Sequence, residues 1–205
     1  LQLGVPAPDK QKALFDKLTD DMASGRYKKI QVPGDRHYEI NGKKLFMSVT
    51  EYKKQIIEKQ HRFPERTESQ KFRDAFSAEW GTAIDDTINH ILERFVDPAT
   101  GLLRDKPNDK PKKADGSFDL AATPIGKAEM TLRGLQSPTM AKLQMYETLE
   151  GFVQEFLKTF PPNTRFMWQV IVADTNARRV IPGTIDFIAI LEDASVKIYD
   201  WKSLD

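Results

Sequence analysis

The chain has no cysteine among its 205 residues. This excludes a disulfide framework, a thiolate zinc site and a cysteine nucleophile, and it fits a reducing compartment. No run of about 18 apolar residues occurs. The start, Leu1 Gln2 Leu3 Gly4 Val5 Pro6, lacks the charged flank and apolar centre of a signal peptide. A soluble, cytoplasmic protein is expected. Charge of one sign is lacking too: 31 Lys and Arg face 30 Asp and Glu, a net +1. Any polyanionic partner must therefore be met by local patches. Histidine is scarce, three in all. His61 reads as solvated in a polar loop, His37 lies near a turn, and His90 is on a different helical face from Asp85, so neither a zinc cluster nor a Ser-His-Asp triad finds support. The absence of a Gly-rich loop with Walker spacing argues against an ATPase, and no internal repeat is present.

What is present is enough for one domain with a real core, two small domains being the alternative. Ala13, Leu14, Leu18 and Met22 recur near helical spacing between Pro8 and about Ala23, a peripheral helix. Residues 28–32 and 38–46, the latter around Asn41-Gly42, read as short strands of a hairpin. Ser48 or Thr50 is a candidate cap for a helix running to about Lys59. Phe72, Phe76, Trp80, Ile84, Ile88 and Phe95 mark a central helix over 69–95, with Gly81 and Asp85 on one face. A glycine inside a helix costs about 1 kcal/mol, so Gly81 points to close approach of another backbone or to a break between two helices. From Asp97 to Pro138 prolines and glycines punctuate the pattern, which reads as a long loop or insertion. Its basic run, Arg104, Lys106, Lys110, Lys112 and Lys113, either touches a phosphate backbone or lies in solvent. Leu143 to Leu157 form another amphipathic helix, ended by Pro161-Pro162 and expected to pack on the sheet that follows. That sheet is an antiparallel meander over 166–173, 180–191 and 196–202.

The last two of these strands carry the chemistry. Gly183 to Ile190 and Ile198 to Lys202 are apolar, β-branched runs flanking a turn at 192–195, and each holds an acid where burial discourages one. Asp200 and Lys202, two residues apart, share one face of their strand. A loop of odd length puts Asp186 opposite Asp200 and on that face; an even loop puts it on the other. Two carboxylates and a lysine suit a hard divalent cation such as Mg²⁺, with a phosphate as substrate. An ordinary surface hairpin with an exposed Asp-Lys pair is the plainer alternative.

Asp186 followed across a hairpin by Asp200-Trp201-Lys202 resembles the signature of PD-(D/E)XK nucleases, and Gly183-Thr184-Ile185-Asp186 resembles its RecB-like and phage exonuclease form. Ser48-Val49-Thr50 resembles the Ser-x-Thr that opens the first core helix of that branch. Trp80 to Asp85 resembles its Gly-Thr-x-x-His motif, with Asp85 in place of His. The resemblance implies a restriction-endonuclease-like α/β core, a central mixed sheet with an antiparallel meander flanked by helices, over 48–205, behind an extension at 1–47. It implies a Mg²⁺-dependent DNA nuclease, Mn²⁺ substituting, more an exonuclease than an endonuclease. Asp186, Asp200 and the Trp201 carbonyl would bind metal, Lys202 would orient water, Asp85 would be an auxiliary ligand, and Gln169 would stand where the family often has Glu. A helicase or recombination partner, or a homo-oligomer, in a bacterial or phage-infected cell, also follows from it. A nuclease fold kept only to bind nucleic acid or a partner is the alternative. The family's helix after the lysine, bearing Gln and Tyr, is absent; with a first residue other than Met, this leads us to expect a fragment of a longer chain.

Overall fold

The computed structural model describes residues 7–32, 35–45, 47–60, 67–173 and 180–201. They fall into two units, the described residues of 7–60 with those of 165–201, and residues 67–164. The boundary expected at 47–48 lies inside the first unit.

In the first unit, helix α1 (Ala7–Ala23) turns Gln11, Leu14, Phe15, Leu18 and Met22 inward. Phe15 is its anchor, 2% exposed. Ala13, expected on this face, is exposed, because steps of about 100° per residue carry it away from the 11, 15, 18, 22 stripe. Strands β1 (Tyr27–Val32), β2 (Asp35–Ile40) and β3 (Lys43–Leu45) form an antiparallel sheet in that order. The Asn41-Gly42 turn has φ 51° and 73°, the positive pair that a two-residue type I′ hairpin requires. Helix α2 (Val49–Gln60) is capped by Ser48. The Ser48 N–H donates to Glu51 Oε2 at 2.6 Å and the Glu51 N–H donates to Ser48 Oγ at 3.2 Å, a reciprocal capping box.

The expected meander follows as β4 (Arg165–Val172), β5 (Gly183–Ile190) and β6 (Val196–Tyr199). The mixed sheet is a correction: among the described residues both three-stranded sheets are antiparallel throughout. The two-residue connection of β2 to β3 and the five-residue connection of β5 to β6 are too short for a parallel crossover. Met167, Val170, Ile188 and Ile190 form a core with Phe15, and Gln11 Nε2 donates to the buried Ile190 carbonyl at 2.8 Å. Tyr38 Oη and Thr184 Oγ1, 2.8 Å apart, link the two sheets.

In the second unit, α3 (Glu68–Phe95) is one unbroken helix, capped by Thr67 and Gln70. Gly81 therefore marks no break, and a Cβ added there meets nothing within 4 Å among the described residues. The helix is core only from Ala83 onward. Phe72 is 72% exposed, and its ring stacks along the helix on Phe76 at 6.5 Å. The span expected as a loop contains a helix, α4 (Pro124–Arg133). Thr123 Oγ1 accepts from the Gly126 N–H at 3.2 Å, Pro124 opens the first turn, and Gly134 ends it at φ 64°. This is the Pro-start, Gly-stop asymmetry, masked in the sequence by the density of other turn residues. Helix α5 (Met140–Lys158) packs with α3 and α4 in this unit, through buried Tyr146, Val153 and Leu157, where the sequence pointed to the following sheet. Its apolar stripe is generic and does not encode which partner it meets. Among the described residues no helix is long and apolar enough to cross a membrane.

Two glycines separate by environment. Gly81→Ala should raise stability by about 1 kcal/mol, since only helix propensity changes. In Gly126→Ala the new Cβ would lie 1.9 Å from the Leu120 carbonyl oxygen, and a loss of about 1–3 kcal/mol is expected. Urea titration followed by circular dichroism checks both signs.

Candidate metal centre

The hairpin register decides whether a site exists. Ile190 pairs with Val196 and Phe187 with Tyr199, leaving the five residues Leu191–Ser195 as the connection. The Leu191 N–H donates to the Ser195 carbonyl at 2.9 Å, the Ala194 N–H donates to the Leu191 carbonyl at 2.8 Å, and Ala194 has φ 66°. Asp193 Oδ1 accepts from the Ser195 N–H at 2.9 Å. An odd connection with one left-handed residue is a common hairpin closure. Carrying the register one place past Phe187 and Tyr199 sets Asp186 opposite Asp200, as the odd-loop alternative required.

Asp186 is half-buried, and its Oδ2 accepts from the main-chain N–H of Trp201 at 3.0 Å. The Trp201 ring lies 5.5 Å from that of Phe187, which is fully buried. Packing thus holds the chain after β6 where it can orient the carboxylate. The burial expected of the second strand is not found. Strand β6, the edge of its sheet, ends at Tyr199; Asp200 is exposed and Ile198 is 62% exposed, while Tyr199, on the alternate face, is half-buried with its ring 6.1 Å from that of Phe187.

Gln169 joins the row from the other side. Trp168 pairs with Phe187 and Val170 with Ile185, which sets Gln169 opposite Asp186. Its φ of 53° is left-handed, a conformation that costs a non-glycine residue about 1–2 kcal/mol. Backbone strain of this kind clusters at functional positions. Gln169, Asp186 and Asp200 therefore form one register row across β4, β5 and the end of β6. Asp85 is half-buried on α3 and belongs to the other unit. Lys202 lies outside the described residues.

Among the described residues no three acidic or imidazole side chains converge as a metal cluster. The row and the residue after it carry a different set of donor types: two carboxylates, an amide oxygen and the Trp201 carbonyl. These are all oxygen donors, and a small hard cation that keeps several waters needs only one or two carboxylates. The donor chemistry fits Mg²⁺.

The basic run has partners of its own. Lys110 pairs with Glu150, Lys112 Nζ lies 2.7 Å from Asp109 Oδ2, and Arg104 lies 3.7 Å from Asp97. Lys106 and Lys113 are exposed. A second feature escaped the sequence reading. Arg94, at the buried end of α3, pairs with Glu150 and donates from Nε to the Asn108 carbonyl at 3.0 Å. Burial pushes the Glu150 carboxyl up, but the hydrogen bonds and charges of Arg94 and Lys110 outweigh it and hold the group below the usual carboxylate range. The only sequence signal was a lone charge within each of two apolar helix faces. Of the histidines, His37 Nε2 lies 3.3 Å from Glu39 Oε1. His90 Nε2 is buried without a hydrogen-bond partner among the described residues, and desolvation depresses its pKa against the pull of Glu93. His61 falls outside the described residues.

No family model, curated protein or solved structure matches the chain.

Substitutions at Gln169 test the strain: Gly, free to adopt positive φ, should give a protein about 1 kcal/mol more stable than Ala at the same position, read from urea midpoints. Glu150→Gln leaves the Arg94 charge buried and should cost about 3 kcal/mol at pH 7. A depressed carboxyl contributes stability that is present above its unfolded pKa and lost as pH falls through the folded value. Thermal melts from pH 7 down to pH 3 should therefore decline more steeply in the wild type than in Glu150→Gln.

Proposed function

We propose that the chain is a Mg²⁺-dependent DNA nuclease, an exonuclease rather than an endonuclease, with a restriction-endonuclease-like organisation around β5 and β6. The observation that carries the reading is the register row of Gln169, Asp186 and Asp200, reached through an odd hairpin connection and followed two residues later by Lys202. An isolated surface hairpin gives no reason for a half-buried acid bonded by main chain to the residue beside a second acid, nor for a strained glutamine in the same row. Asp186 and Asp200, with the Trp201 carbonyl, would hold the cation. When bound, the ion polarises a phosphoryl oxygen, lowers the pKa of water and stabilises the leaving oxygen. Asp186, oriented by the Trp201 N–H, and Asp200 supply the negative charge that selects a divalent cation. The Lys202 ammonium would donate from Nζ to the attacking water or to a phosphate oxygen.

A second reading, a nuclease fold retained to bind nucleic acid or a recombination partner, is favoured by one specific feature. The residue opposite Asp186 is an amide, which is a neutral and weaker ligand than a carboxylate.

Digestion of end-labelled linear and closed circular DNA in Mg²⁺ or Mn²⁺ separates the two. Linear DNA should be degraded and circles spared. Asp186→Ala and Lys202→Ala should each lower the rate by at least about 10²-fold, the scale of an electrostatic or acid–base contribution. Unchanged cleavage in both variants would sink the nuclease reading, and binding without cleavage in the wild type would favour the second.

A further inference from the structure

The edge of the first sheet and the edge of the second leave an open groove of about 380 Å³ between β1 and β4. Such a volume is at the low end for small-ligand sites, with room for about one nucleotide rather than a duplex. Its walls are of two kinds. Met22, Ile30 and Ile171 are apolar, and Tyr27 adds an aromatic ring that has the Arg26 guanidinium 5.3 Å from its centroid. Lys28 and Lys29 also line it, projecting to opposite faces of the edge strand β1, and among the described residues neither forms an ion pair.

Lys28 is exposed. Its Cε comes within 2.9 Å of where a Cβ on Gly25 would lie, so its stem folds over that left-handed turn. Glu39 is its cross-strand neighbour, but the Glu39 carboxylate is engaged with His37 at 3.3 Å. The groove reaches the register row at its Gln169 end, and neither carboxylate lines it. Gln169 lines it, and so does Thr184, which precedes Asp186 by two positions and shares its strand face.

We infer that this groove holds one nucleotide of a single DNA strand beside the carboxylate row, with Lys28 and Lys29 on its phosphates and the apolar wall against its base or sugar. The inference rests on the nuclease reading for the identity of the strand, and on the groove itself for the contact. Two cations close to an apolar and aromatic surface are the combination that single strands require, since phosphates are neutralised while any base can stack. The extension before α2 then acts as part of the substrate site, with β1 serving as its basic edge.

The test is equilibrium binding of a fluorescein-labelled oligothymidylate to the 205-residue chain in EDTA, followed by anisotropy across a salt series. Lys28→Ala with Lys29→Ala should weaken binding by about tenfold near 0.1 M salt and reduce the slope of log K against log salt by about 1.4, two single-strand phosphate contacts. Both lysines are exposed, so the variant should fold. Unchanged affinity and slope would overturn the groove, as would a wild type that binds no oligonucleotide. Thymidine monophosphate competing as well as the oligomer would also overturn it, in favour of a free-nucleotide site. The two proposals fail separately. Lysine-independent binding in a chain whose cleavage needs Asp186 sinks the groove alone. Lysine-dependent binding in a chain that cuts nothing sinks the nuclease alone.

Discussion

Hairpin parity is the constraint on which the site depends. Side chains alternate across a strand, so adding or removing one residue between Ile190 and Val196 would move Asp186 to the face opposite Asp200. Ala194 in the left-handed region and the Asp193 carboxylate on the Ser195 N–H hold the connection at five residues. Once that length is set, the Trp201 N–H meets Asp186, and the Trp201 and Phe187 rings meet alongside. A few weak interactions at an exposed turn thus decide which face of the sheet Asp186 takes several residues away.

The sheet that carries this row is made rigid from one side. Helix α1 gives it Phe15 as an apolar anchor and the Gln11 amide as a buried polar tie to the Ile190 carbonyl. A buried amide with a partner costs little, whereas one without would cost about 1–3 kcal/mol, so the contact fixes the position of α1 along the strand as well as its distance. Gln169 shows the opposite use of energy. Its positive φ is tolerated because paired residues on both sides, Trp168 and Val170, determine the path of the strand.

How much was legible in the sequence depended on how local each signal was. The Asn41-Gly42 turn, the Ser48 cap, the long helix ending at Phe95 and the three-strand meander all announce themselves within a few residues, and all are present. The parity of the last hairpin could be posed but not decided, because Leu191 and Ser195 form a bonded pair that composition does not distinguish from a loop pair. Helix α4 was hidden by its own punctuation: Thr123, Pro124 and Gly134 are cap residues, but they sit among prolines and glycines that are not. Gly81 misled, since the long helix tolerates it with open space around its Cα. The partners of α5, the ion pairs of Arg94 and the strain at Gln169 are non-local, and no window of sequence contains them.

The connectivity of the first unit has a kinetic meaning. Gln11 and Ile190, which hydrogen-bond, are separated by 179 positions, and the unit is assembled from two distant stretches of chain. The described part of the second unit is one continuous run. Closing a long loop is entropically slow while local helix contacts form early. On a ribosome, α3, α4 and α5 can settle while the sheet still lacks its last strands. Until then α1 waits with its Phe15 face uncovered. The acids therefore meet only after β5 and β6 have been made, late in the assembly of this unit.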